Sequence, residues 1–304
     1  MTSGQSSVDE QVAACLGPDA VTYLANKVRG GSNGRKGARY EDFFAAFKVA
    51  EAAAACFSGV KRWPTVQEQV RAFVDDLRLA SSESAGYFQL KNVLTLAWES
   101  GDRPLQVDFQ YQKTLSDHLG EPSPRTTLVV SSSELCESMR DSTPASIATH
   151  TDVVHFPYSD GSLNRLVQEH EGLRALLGVL SKSEDAPLDA LAAVFGVLII
   201  GLMKQEGREA SIEEVVRAAR SVAPSAIRLL PKDLERVTLD SDFANLLAQL
   251  EGFRYVVDRG FFEWAYYDTS GVTSFDCLSE EFGRLQARVM ARRPTTFDEL
   301  EELL

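Results

Sequence analysis

The chain has 304 residues, 44% of them apolar and 25% charged, an ordinary globular composition that excludes disorder as the default state. A net charge of −13 argues against indiscriminate coating of nucleic acid. Cys15, Cys56, Cys136 and Cys277 are too scattered for a disulfide framework or a cysteine zinc site, so the expected compartment is a reducing cytoplasm.

In chain order, the opening "MTSGQSSVDEQ" lacks the basic-then-apolar pattern of a secretory signal. A short helix is expected from Val8 to Leu16 and a second from Asp19 to Val28, after Pro18. Glycines in "GGSNGRKG" interrupt helical structure. Lys27, Arg29, Arg35, Lys36 and Arg39 gather around that stretch, with no acid between Ala20 and Tyr40. A local basic patch on an acidic protein implies a place rather than a general stickiness. Residues 38–57, alanine-rich with Phe43, Phe44 and Phe47 at helical spacing, predict a strong helix.

Two strands are expected next, Val70 to Ala80 and Tyr87 to Leu94, joined by "SSESAG". A helix from Leu105 to Leu119 follows, then a strand at Thr126 to Ser132, a short helix at "SELCESM" and a strand at Asp152 to Tyr158. Helix, hairpin, helix, strand, helix, strand predicts an α/β fold with a mixed sheet flanked by helices. After Tyr158 the pattern turns mainly helical, and the expected division is residues 1–158 and 159–304. The apolar run Leu191 to Met203 falls short of the roughly 20 residues a bilayer requires and reads as a buried helix. A hairpin turning at Asp258–Arg259–Gly260 closes a helical stretch in a winged-helix-like order. The candidate recognition helix, "DFANLLAQLEG", carries no basic residue, which favours packing or dimerisation over DNA reading.

The first hairpin carries the chemistry. Side chains alternate along a strand, so Asp76 and Arg78 share one face of the first strand, and Gln89 and Lys91 one face of the second. A four-residue loop sets Asp76 opposite Gln89, and a two-residue loop sets it opposite Lys91. Parity therefore selects Asp76, with Asp75 left to a strand edge or an outer-shell role. Mg²⁺ or Mn²⁺ takes hard oxygen ligands. Asp76 offers a carboxylate, Gln89 a side-chain carbonyl and Leu90 a backbone carbonyl. Lys91 is placed to hold water and to stabilise the charge of a phosphoryl transition state, and Glu41 to assist.

Asp76, twelve intervening residues and Gln89-Leu90-Lys91 resemble the D-(x)n-(E/Q)-x-K signature of the PD-(D/E)xK nuclease superfamily. The stretch "GGSNGRKGARYEDFF" places Arg35, Gly37, Tyr40 and Glu41 on the motif of its double-stranded-DNA endonuclease (Mrr-like) domains, found in bacterial anti-phage effectors. The resemblance covers roughly residues 30–158. It implies a restriction-endonuclease-like sheet, a magnesium-dependent DNA endonuclease and a defence role; the mainly helical region after 159, outside the resemblance, is expected to serve assembly or regulation. Glu41, Asp76, Gln89 and Lys91 would be catalytic, and Asp76, Gln89 and Leu90 would hold the metal. Arg35, Lys36 and Arg39 are expected to contact DNA phosphates. The rival expectation is a non-catalytic DNA-binding or adaptor subunit on a degenerate nuclease fold. A partner ATPase or sensor subunit and homo-oligomerisation are further expectations.

Other motifs lead elsewhere. "GGSNGRKGAR" is not a phosphate-binding loop, because Gly37 stands where Ser or Thr must follow the lysine and no strand precedes it. The four histidines have no ligand spacing, and "VVSSSE" reads as a strand end running into a helix cap.

Overall fold

A computed structural model describes residues 3–30, 35–60, 62–101, 104–158 and 162–304, with side chains for all of these except 3–7, 28–30 and 35–38. Helices α1 (Ser3–Leu16), α2 (Pro18–Gly30) and α3 (Arg35–Phe57) come first. Strands β1 (Thr65–Glu68), β2 (Leu77–Ala80) and β3 (Ala85–Lys91) lead to α4 (Leu105–His118), β4 (Arg125–Val130), α5 (Ser133–Asp141) and β5 (Thr151–His155). Then come α6 (Leu163–Glu169), α7 (Glu171–Leu180), α8 (Leu188–Met203), the short β6 (Ala210–Ser211) and α9 (Ile212–Val222). The remainder holds α10 (Pro231–Leu234), α11 (Ser241–Leu247), β7 (Phe253–Asp258), β8 (Phe261–Tyr266), β9 (Thr269–Asp276), α12 (Glu280–Arg292) and α13 (Phe297–Glu301).

The fold is mixed α/β. The main sheet runs β5-β4-β3-β2-β1-β6, antiparallel from β3 outward to β6 and parallel through β3, β4 and β5. Its central strand β3 is buried on both faces, since successive side chains point opposite ways and each face meets helices. Phe88 and Leu90 pack into the core shared with α3, where the Phe44 and Phe88 rings lie 5.4 Å apart. Ala85 and Tyr87 pack with Phe109 of α4 and Leu135 of α5.

Several sequence expectations are corrected by this packing. The strand expected from Val70 is confined to Leu77–Ala80, and an unanticipated strand, β1, precedes it. Residues 69–76 form a closed loop instead. The Gln69 and Val70 amides donate to the carbonyls of Asp76 (3.1 Å) and Asp75 (2.7 Å). The Gln112 side-chain Oε1 of α4 accepts from the Phe73 and Val74 amides (3.0 and 3.4 Å).

The boundary expected at residue 158 falls inside the main core. Leu166, Leu173, Phe195, Leu198 and Val216 share one apolar cluster with Phe44 and Phe88, and β6 pairs with β1. A separate core begins only around Phe243, uniting α11, β7, β8, α12 and α13. The expected terminal hairpin is a three-stranded antiparallel sheet, β7-β8-β9. Its first turn is the two-residue Arg259–Gly260 pair, with φ of +52° and +91°. The apolar run 191–203 lies in α8, and no helix among the described residues is long and apolar enough to cross a membrane.

Candidate functional site

The turn between β2 and β3 holds four residues, because Ala80 pairs with Ala85 and Leu77 with Phe88. One step beyond this register Asp76 meets Gln89. The Gln89 amide Nε2 donates to Asp76 Oδ2 at 2.5 Å, and the Leu90 backbone N–H donates to the same oxygen at 2.6 Å. Gln89 is only 2% exposed, so the face carrying it is covered by helices rather than solvated.

Asp75 is buried as well, at 8% exposure, and not at an open strand edge. Burial and the neighbouring Asp76 push its carboxyl up to about 6, against the pull of Lys27 and Lys91. Glu41, on the second turn of α3, is half-buried and accepts from Gln69 Nε2 at 2.8 Å. Burial first, then Asp76, push its carboxyl up to about 7, while Lys91 draws it down. Glu68, at the end of β1, is likewise pushed up to about 7 by burial and by Asp42. Crowded carboxyls in a partly dry space thus favour the neutral acid. Asp76 and Gln89 are in direct contact, and Glu41, Asp75, Asp76 and Lys91 lie near enough for their charges to act on one another.

Three further residues belong to this site. Lys27 of α2, expected in the basic patch, is turned inward. Its ammonium donates to the Phe73 carbonyl, to Asp108 Oδ2 (2.6 Å) and to Gln89 Oε1 (3.2 Å), with Asp75 Oδ1 at 3.7 Å. Asp108 also accepts from the Tyr23 hydroxyl at 2.7 Å. One sequence signal marks Asp108: it interrupts the stripe Leu105, Phe109, Gln112, Leu115 that α4 buries. No local pattern distinguishes Lys27. Arg39 is exposed on the second turn of α3; burial pushes the Asp42 carboxyl up against the opposing pull of Arg39. The side chains of Arg35 and Lys36 lie outside the described residues.

The ligand set expected for Mg²⁺ does not fit this arrangement. Gln89 turns its NH₂, not its carbonyl, to Asp76, and Leu90 presents its N–H there. The Gln89 carbonyl is engaged by Lys27. Among the described residues no group of three or more His, Cys, Asp or Glu side chains is placed to hold a metal ion. A hard cation needs oxygen lone pairs directed at it, and here Asp76 Oδ2 already receives two N–H donors.

No family model, no curated protein and no solved structure matches the chain.

Proposed function

We propose that this chain is an endonuclease hydrolysing phosphodiester bonds of double-stranded DNA on a restriction-endonuclease-like sheet, in a state that does not yet admit a cation. The supporting observation is the direct contact of Asp76, at the end of the 69–76 loop, with Gln89 and Leu90 of β3, beside the mutually interacting charges of Glu41, Asp75 and Lys91. The element order helix, three antiparallel strands, helix, parallel strand agrees with the resemblance carried by Asp76 and Gln89-Leu90-Lys91.

In this reading Glu41, with its carboxyl at about 7, accepts a proton from attacking water near neutral pH. Lys91 supplies positive charge where phosphoryl oxygens gain negative charge. Arg35, Lys36 and Arg39 hold the DNA backbone at the start of α3. Magnesium or manganese is the proposed cofactor, and its binding requires the Gln89 amide to turn over. The role in anti-phage defence rests on the resemblance alone.

Plasmid cleavage by the pure chain under Mg²⁺ or Mn²⁺ tests the reading. Asp76→Ala and Lys91→Ala should each lower cleavage at least about a hundredfold, with the native fold retained at the assay temperature. Equal nicking by both variants and the parent would overturn it. The saturated Asp76 oxygen favours a second reading, a non-catalytic DNA-binding or adaptor subunit, and retention of DNA without cleavage by every form would support that one.

A further inference from the structure

An ammonium group has three N–H donors and no acceptor, whereas a primary amide has a donor end and an acceptor end. Around Lys27 the ammonium meets four oxygens, those of Phe73, Asp108, Gln89 and Asp75. Asp108 is buried and fixed from its other side by Tyr23, so the ammonium has little room to move. With the Gln89 carbonyl tied to it, the NH₂ end must face Asp76, where it donates at 2.5 Å. Turning the amide over with Lys27 in place would set NH₂ against NH₃⁺ and carbonyl oxygen against carboxylate. Both charge-assisted contacts would become repulsive at once. A cation that needs the Gln89 carbonyl beside Asp76 is therefore opposed by Lys27.

We propose that Lys27 is a positioning residue that sets which end of the Gln89 amide faces Asp76, and thereby disfavours divalent cations there. This rests on reading residues 75–76 and 89–91 as the functional site. It makes the first two helices part of that site: α2 carries the ammonium, and α1 packs on α2 and α4.

Mn²⁺ binding to the full chain, followed by calorimetry, tests this in Lys27→Met and Lys27→Arg, each in the parent and the Gln89→Ala background. Lys27→Met should bind Mn²⁺ at least about tenfold more tightly than the parent, the scale of one lost charge-assisted hydrogen bond. Lys27→Arg should bind like the parent. In the Gln89→Ala background the gain from Lys27→Met should largely vanish, since no amide remains to turn. Unchanged or weaker binding by Lys27→Met would overturn the proposal, as would an equal gain in both backgrounds, which would reflect charge removal alone. Should Lys27→Met fail to fold, Asp108→Asn loosens the ammonium without removing it. A smaller gain then supports the proposal, and no gain overturns it. Cleavage is not the readout, so absence of DNA cleavage throughout would count against the nuclease reading and leave this one standing.

Discussion

Glu41 and Asp75 illustrate how burial and like charge act together on single residues. Both carboxyls lie above their ordinary range, at about 7 and about 6, with burial as the first cause and Asp76 as a contributor. The sign of the stability effect follows. Between the unfolded value near 4.3 and about 7, the folded chain binds more protons at Glu41 than the unfolded chain does. Stability therefore falls as pH rises through that window. Glu41→Gln removes the ionisation but keeps an acceptor for Gln69. It should raise the thermal midpoint at pH 8 and leave it nearly unchanged at pH 4.5. The gain at pH 8 should be on the order of 1 kcal/mol, because solvent at this half-buried site screens part of the shift. A gain of equal size at both values would show that ionisation is not the cause. At this scale the contact of Asp76 with Gln89 was legible in the sequence. Lys27 was not, because nothing local separates an inward lysine from its exposed basic neighbours.

Elements follow the sequence where local signals and packing agree. Helix α9 begins at Ser211 with a complete capping box: the Ser211 hydroxyl accepts from the Glu214 amide, and the Glu214 carboxylate accepts from the Ser211 amide. Ser132 caps α5 in the same sense, through the Leu135 amide. Trp98 is buried and donates to the Met139 carbonyl at 2.9 Å. Helices α8 and α9 cross closely at Gly201, where a Cβ would stand 2.6 Å from the Val215 carbonyl oxygen and 3.1 Å from Ala219 Cβ. Gly201→Ala tests two opposed effects. Helix propensity favours alanine by up to about 1 kcal/mol, while overpacking against backbone costs about 1–3 kcal/mol. The contact is with backbone, which cannot swing aside, so a net loss of about 1 kcal/mol is expected in urea unfolding. A gain would mean that the crossing yields more easily than this packing implies. The 69–76 loop went unread because its conformation depends on Gln112, 36 or more positions away in sequence.

At the scale of the molecule, polar ties join the core shared with α3 to the separate core around Phe243. The Arg220 guanidinium of α9 meets Asp276 of β9 at 2.7 Å, with both side chains about 90% buried. Arg259, at the β7–β8 turn, donates to the Gly178 and Ser181 carbonyls at 2.7 and 3.0 Å. Breaking a buried pair from one side strands a charge and costs about 3–5 kcal/mol. Asp276→Ala should therefore destabilise by about that amount, measured by chemical unfolding. Replacing both residues by apolar ones of similar size, Arg220→Met with Asp276→Leu, should recover much of the loss. A double variant no better than the single would show that the pair is itself a strong net stabiliser.

The sequence by itself determined the long α3, the paired strands around "SSES", the two strands after α4 and the shared face of Asp76 and Gln89. Helical and alternating periodicities are local, and parity puts Asp76 on the face of Gln89 and Lys91, while the four-residue turn seen in the structure selects Gln89 as its partner. Tertiary structure alone decided that residues beyond 158 complete the main core, that β6 closes the sheet edge, and that Lys27 faces inward. These depend on groups distant along the chain competing for the same buried space. The polarity of the Gln89 amide belongs to the second set: composition supplies the amide, and the ammonium brought by α2 decides which end meets Asp76.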